Sequence, residues 1–264
     1  MTTFRIGTQG WSYKDWVGNF YPPRAKQEDW LPFYSHVFDT VELDTTFYHP
    51  PRPSIVRSWA RHTPETFRFS AKVPQHITHE ARLAAMGEHL AEFARALEPL
   101  GPRLGPLLVQ LPAEFQADAG TFGLLDRFLA ATPQHVRLAV EFRDRSWHVP
   151  RAVELLARHG AAFVWTDWRD LPPLHAVTTD FLYVRWLGRR ERIDSYERVL
   201  IDRGAEFDAW RDAFATARPE VREVYGYFNN HWAGHSPASA AEMQRRLGLE
   251  PADPRALWPQ PELF

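Results

Sequence analysis

The sequence predicts an α/β fold, a barrel of parallel strands, and three observations predict it. Eight short apolar runs cross the 264 residues, helical spacing fills most of the gaps between them, and most runs end in a polar or charged residue. Strands that alternate with helical stretches build βα units and a parallel sheet. In a barrel of such units the strand ends converge on one face, where the active sites of these barrels sit. The expectation is a single TIM (β/α)8 barrel over 1–264, with an irregular sixth βα connection.

The strands are expected at about 4–7, 40–43, 67–71, 105–110, 137–141, 162–166, 181–185 and 223–228. After the first, Trp30, Leu31, Phe33, Tyr34 and Val37 share a helical face. After the second, Ile55, Val56 and Trp59 do so, with Ser54 as the expected N-cap behind Pro53. Leu90, Phe93, Ala94 and Leu97 follow the third strand with the same period, and Phe122, Leu125, Phe128 and Leu129 follow the fourth. Val153, Leu155 and Leu156 lead to His159 and a C-terminal stop at Gly160. The sixth connection, WRDLPPLHAVTT, is too short and too proline-rich for a regular helix. Phe207, Trp210 and Phe214 form a helix ahead of Pro219, and Met243 and Leu247 close the set.

Composition narrows the function classes. With 44% hydrophobic residues the chain can bury a large core. There is no cysteine, which excludes disulfides and thiolate chemistry and fits a reducing compartment. A net charge of −2 supplies no global attraction for nucleic acid. No apolar run approaches the roughly 20 residues of a membrane span, and MTTFRIG enters a strand at once. The expected setting is cytoplasmic, with no membrane partner.

Strand parity selects the site. Glu42 and Asp44 share one face of the second strand, opposite Val41 and Leu43. Carboxylates turned into the helical layer would cost several kcal/mol, so they face the barrel interior and its mouth. The same parity turns Ser70 and Lys72, Ala139 and Glu141, and Tyr183 and Arg185 inward. Glu42, Lys72, Glu141 and Arg185 are the candidate catalytic set. Their mixture of carboxylates and cations suits acid/base work beside a bound anion. Lys72 could form a Schiff base if its pKa were depressed, but Glu141 and Arg185 nearby are expected to keep it protonated.

Around this cluster, Gln9, Trp11, Tyr13, Asp44 and Tyr48 arrive on the first two loops, with Phe47. Gln110 and Asp167 end the fourth and sixth strands. Trp147, with Trp165, is expected to help wall a stacking pocket. Asn229, Asn230, His231 and His235 follow the eighth strand, where barrels often bind phosphate at a helix N-terminus that Ser236 or Ser239 would cap. The histidines His76, His79, His231 and His235 and the carboxylates could ligate a metal. No compact ligand motif occurs, however, and Lys72 and Arg185 would repel a divalent ion, so no metal site is assigned. No cofactor is singled out.

The blocks IGTQGWSYKDW, FDTVELDTTFYHPP, FRFSAKVPQHITHE, LLVQLPAEF, VEFRDRSW and YGYFNNHWAGHSP resemble the domain of unknown function 72 family, also called YecE-like. The resemblance runs from Ile6 to about Ala241 and implies a TIM barrel without implying a reaction. Many relatives carry a histidine two residues after the seventh-strand arginine. Here Leu187 stands there, so no role of that histidine carries over.

The reading that follows is binding of, or acid/base chemistry on, a small anionic, phosphate- or sugar-like molecule. One alternative is a metal-dependent phosphodiesterase acting on nucleic acid, resting on the histidines and on Arg189, Arg190 and Arg192. Another is a non-catalytic ligand-binding barrel. With Glu141 read as part of a functional site, Glu141→Gln is expected to change stability little; were it to neutralise a buried cation instead, the change should be costly.

Overall fold

The structure is a computed structural model and describes residues 2–168, 171–188, 192–217 and 221–259. Arg189, Arg190 and Pro219 lie outside the described residues. The strands are β1 (Thr3–Gln9), β2 (Thr40–Leu43), β3 (Arg68–Lys72), β4 (Leu104–Gln110), β5 (Leu138–Glu141), β6 (Ala162–Phe163), β7 (Trp165–Trp168), β8 (Phe181–Gly188) and β9 (Glu223–Phe228). All nine pair in parallel in the order β6-β5-β4-β3-β2-β1-β9-β8-β7. The two ends of that order, β6 and β7, are successive pieces of the expected sixth strand. Val164 separates them, its amide bonding to Val140 at 3.0 Å, after which the chain leaves β5 and joins β8. The barrel is therefore nearly closed, with eight strand positions, as the sequence predicts.

The helices are α1 (Gln27–Val37), α2 (Pro53–Arg61), α3 (Gly87–Leu97), α4 (Ala119–Ala130), α5 (Pro150–Arg158), α6 (Gly204–Ala217), α7 (Asn230–Ala233) and α8 (Ser236–Arg246). Asp118 caps α4 by accepting from the Thr121 amide at 2.8 Å. Gly160 follows α5 with φ +63°, the left-handed conformation that a helix stop favours. At α2 the expected N-cap, Ser54, was two residues late. Arg52 is the N-cap, without a side-chain bond, and Pro53 opens the helix, where its missing N–H costs nothing. Among the described residues of the sixth connection none is helical.

Two cores result. Between strands and helices lies a continuous layer of aromatic and aliphatic side chains, including Phe69, Val140, Trp165, Trp186 and Phe228. Inside the barrel, Leu108, Ala139, Ala162, Val164, Phe181, Tyr183, Tyr225 and Tyr227 pack on one another. At the strand N-termini a network of Arg5, Asp39, Arg137 and Glu223 lies across the barrel floor. The polar ends described next close the opposite side.

Candidate functional site

Alternation along the strands sets the deepest layer at the C-terminal mouth. Arg185, from β8, reaches across the barrel to Glu42 of β2. Its Nε donates to Oε2 at 3.0 Å and its Nη2 to Oε1 at 2.8 Å, a fork that matches a carboxylate. Its Nη1 donates to Glu141 Oε2 at 2.5 Å. Tyr183 donates to Glu42 at 2.7 Å and Thr166 to Glu141 at 3.3 Å. Glu42 and Glu141 are fully buried, and the Arg185 side chain is 3% exposed. Burial raises the Glu42 carboxyl above its ordinary range, against the pull of Arg185. Burial also pushes Glu141 upward, but Arg143 and Arg185 outweigh it and hold the carboxyl below the ordinary range. The two carboxylates hold Arg185 well above its ordinary range despite its burial.

A second layer lies above. Arg143 Nε is 2.7 Å from Glu141, with the guanidinium carbon 4.3 Å from the centre of the Trp168 ring. Lys72 Nζ sits 3.8 Å over the Phe47 ring and 3.5 Å from Asp44 Oδ1. Burial is the main cause that lowers the Lys72 pKa. Arg185 pushes the same way, and Asp44, Glu141 and Glu42 oppose it. The expectation that Arg185 keeps Lys72 protonated thus has the wrong sign: like charges disfavour each other's ionised forms. His79 packs edge-on against Phe47, and its Nε2 lies 3.5 Å from the Gln110 amide nitrogen. Burial, then Lys72 and Arg143, lower its pKa. Gln110 also donates to the Leu111 carbonyl at 3.0 Å.

Gln9 and Asn229 complete the mouth. Asn229 donates to Gln9 at 2.7 Å, while the other end of the Gln9 amide is 3.2 Å from Arg185 Nε and Nη2. One amide oxygen cannot serve donors on both sides. Beside the mouth a cavity of about 310 Å³ is walled by Trp11, Tyr13, Tyr48 and Trp59, with Asp44 at its edge. A cavity of about 400 Å³ lies between α1 and α8, away from the charged cluster. Tyr13 donates to the Gln9 carbonyl at 2.9 Å, and its phenol is pushed up to about 12, chiefly by burial and then by Asp44.

Six residues expected at the site are held by other partners. Trp147 is fully buried, stacked on Phe142 and Phe115, and donates to the Phe115 carbonyl at 2.6 Å. Trp165, expected beside it, faces the helical layer against Phe214. Asp167 falls on the outward parity of β7 and accepts from the Trp232 indole at 2.8 Å; the inward residue is Thr166. Asn230 is buried, and its oxygen accepts from the Ser236 amide and hydroxyl and the Trp16 indole. His235 bonds to the Tyr196 carbonyl at 2.7 Å, and exposed His231 bonds to the Tyr196 hydroxyl at 2.9 Å. The helix starts after β9 are likewise occupied. Asn229 caps α7 through the His231 amide, and Asn230, rather than Ser236 or Ser239, satisfies the first amide of α8. A phosphate would find those donors taken.

Among the described residues no group of three or more His, Asp or Glu side chains is arranged to hold a metal ion. The guanidinium of Arg185 fills the place between Glu42 and Glu141 that a cation would take. Residues missed from sequence include Thr166, His79 as a mouth residue, Trp59 and Trp168. Parity alone could have found Thr166, as it found Tyr183. No helix of the described residues is long and apolar enough to cross a membrane.

Comparison with known proteins fits this geometry. The chain is 35% identical over 138 residues to UPF0759 protein YecE of Escherichia coli strain K12, a match covering 52% of this chain and 47% of YecE, so it spans about half of that relative. It is 26% identical to UPF0759 protein YunF of Bacillus subtilis strain 168 over 273 residues, covering 93% of this chain and 95% of YunF. A DUF72 family protein of Thermotoga maritima MSB8 superposes with a TM-score of 0.82 at 31% identity, over 93% of this chain and 99% of that one. One from Enterococcus faecalis V583 gives 0.80 at 24% identity, over 98% and 99%. The family model described as "Protein of unknown function DUF72" matches residues 5–263, and the chain belongs to that family.

Proposed function

We propose that the barrel mouth binds a small anionic molecule, phosphate- or sugar-like, on Lys72 and Arg143. The observation that carries this reading is two cations, 11% and 10% exposed, standing over a sealed Glu42–Arg185–Glu141 floor. The floor carries one net negative charge, and Lys72 and Arg143 stand over it as two cations. Asp44 lies to the side, at a loose 3.5 Å from Lys72, and an arriving anion competes with that weak contact. Lys72 has three N–H donors. Glu42 and Glu141 have no open face, so on this reading they fix Arg185 and the mouth's charge rather than exchange protons with a ligand. Nucleic acid is not favoured: the chain's net charge is −2, and Arg192 of the supposed basic stretch pairs with Asp194 at 2.7 Å.

Calorimetric titration with inorganic phosphate and sulfate tests the reading. A hydrogen bond to a charged group contributes about 1.5–3 kcal/mol, so Arg143→Gln should weaken phosphate binding about ten-fold or more. Absence of binding to the wild-type protein, or equal binding by the variant, would remove the reading.

A further inference from the structure

Three of the 31 basic residues are lysine, at positions 14, 26 and 72; the remainder are arginine. Lysine is normally among the commonest residues, so this chain strongly favours arginine for its positive charges. Lys14 and Lys26 are exposed. Lys72 is the buried one, at the end of β3 in the mouth. A guanidinium would serve an ion pair there at least as well and would never lose its proton. What an amine offers and a guanidinium does not is a lone pair on nitrogen.

The surroundings suit that use. The Lys72 nitrogen lies against the Phe47 ring, an apolar face that replaces hydration. Its nearest carboxylate is Asp44, at 3.5 Å, where an ordinary bridge would close nearer. The Asp44 side chain is 47% exposed and accepts no hydrogen bond from the described residues. It also borders the aromatic-walled cavity of about 310 Å³, which gives the body of a small molecule a place beside the amine.

We propose that Lys72 forms a reversible imine with the carbonyl carbon of a small aldehyde or ketone, with Asp44 moving the protons. Lys72 Nζ attacks the carbonyl carbon, the C–N bond forms, and the carbonyl electron pair moves to oxygen. Asp44 takes the proton lost from nitrogen and passes it to that oxygen, giving a carbinolamine. The C–O bond then breaks, the second nitrogen proton travels by Asp44 to the departing hydroxyl, and water leaves. One amine and one carbonyl thus become one imine and one water, with no oxidant or further reactant. The lowered pKa of Lys72 agrees with this, since only the neutral amine attacks. The anionic part of the reactant rests on the binding reading above; the imine itself does not.

The test is trapping with borohydride, which reduces an imine to a stable secondary amine. The intact protein is incubated with glycolaldehyde phosphate and, separately, with glycolaldehyde, then reduced, digested and mapped by mass. Three lysines and the N-terminus make the map simple. The expected result is an adduct at Lys72 formed roughly ten-fold or more faster than at Lys14 or Lys26, because a bound reactant is held beside the amine. Asp44→Asn should slow the Lys72 adduct, and Lys72→Arg should abolish it without raising the others. Labelling of Lys72 no faster than Lys14 and Lys26, by either compound, overturns the proposal. If Lys72 reacts equally well with both compounds, the imine stands and the anionic reading falls. If phosphate binds in the calorimeter and Lys72 stays unlabelled, the imine falls and the anionic reading stands.

Discussion

Glu141→Gln separates a scaffold carboxylate from a chemical one. The carboxylate accepts from Arg185 at 2.5 Å, lies 2.7 Å from Arg143 Nε and is fully buried, so its charge is shared by two cations away from water. Removing one partner of a buried pair costs about 3–5 kcal/mol. Arg185 keeps its two bonds to Glu42, and a glutamine oxygen can still accept one hydrogen bond, which favours the lower end, about 3 kcal/mol. At about 2–4 °C per kcal/mol for a chain of this size, the melting temperature should fall by roughly 6–12 °C. The sealed geometry thus argues for the costly outcome, against the small change that the sequence reading expects. Urea and thermal denaturation followed by circular dichroism measure it. The folded-state pKa of Glu141 is depressed, so its stabilisation is present above the ordinary glutamate pKa and is lost as pH falls through the depressed value. The gap between wild type and variant should therefore narrow in acid. A melting temperature within about 2 °C of wild type at neutral pH, or a gap independent of pH, would refute the argument.

Two other substitutions test the placement of residues around the site. Trp147→Ala removes a buried indole from the Phe115–Phe142 stack and should cost about 3–5 kcal/mol in urea denaturation, while phosphate binding by the folded variant stays at the wild-type level; a selective loss of binding would return Trp147 to the site. Gly188→Ala adds a methyl group where φ is +81° and where the nearest atom, the His231 carbonyl oxygen, would be 2.2 Å away. The end of β8 or the backbone of α7 packed against it must shift, and destabilisation of about 1 kcal/mol or more is expected in the same assay; a neutral result would show that β8 does not end against α7 as described.

The fold was legible because parity and hydrophobic period are local. Glu42, Ser70, Lys72, Ala139, Glu141, Tyr183 and Arg185 turn inward as two-residue alternation requires, since a carboxylate or guanidinium in the helical layer would lie unpaired in hydrocarbon. The break at Val164 was not legible, because an apolar residue between two strand pieces looks like an uninterrupted strand. Asp167 shows the limit of reasoning from strand ends. A polar residue ending an apolar run is as well satisfied by an indole in the helical layer as by the mouth, and Trp232 is 163–168's neighbour only after folding. The same holds for Asn230, whose oxygen is claimed by Ser236, six residues on, and by Trp16, from the far end of the chain.

Which charges pair is a matter of three dimensions, and the difference decides their use. Sequence parity places Glu42, Lys72, Glu141 and Arg185 in one mouth and treats them alike. The folded chain divides them by depth. Arg185 carries five donors in a fixed plane, and the carboxylates on either side accept three of them, so these three side chains pair with one another away from water. Lys72 ends one layer higher, because β3 meets β2 with Ser70 beside Glu42, which sets Lys72 two residues further toward the mouth. There it meets a phenyl ring and a loosely placed carboxylate instead of a fork. A two-residue offset from Glu42 in register, about 7 Å of strand, is what leaves the amine beside the half-exposed Asp44 while Glu42 is sealed beneath it.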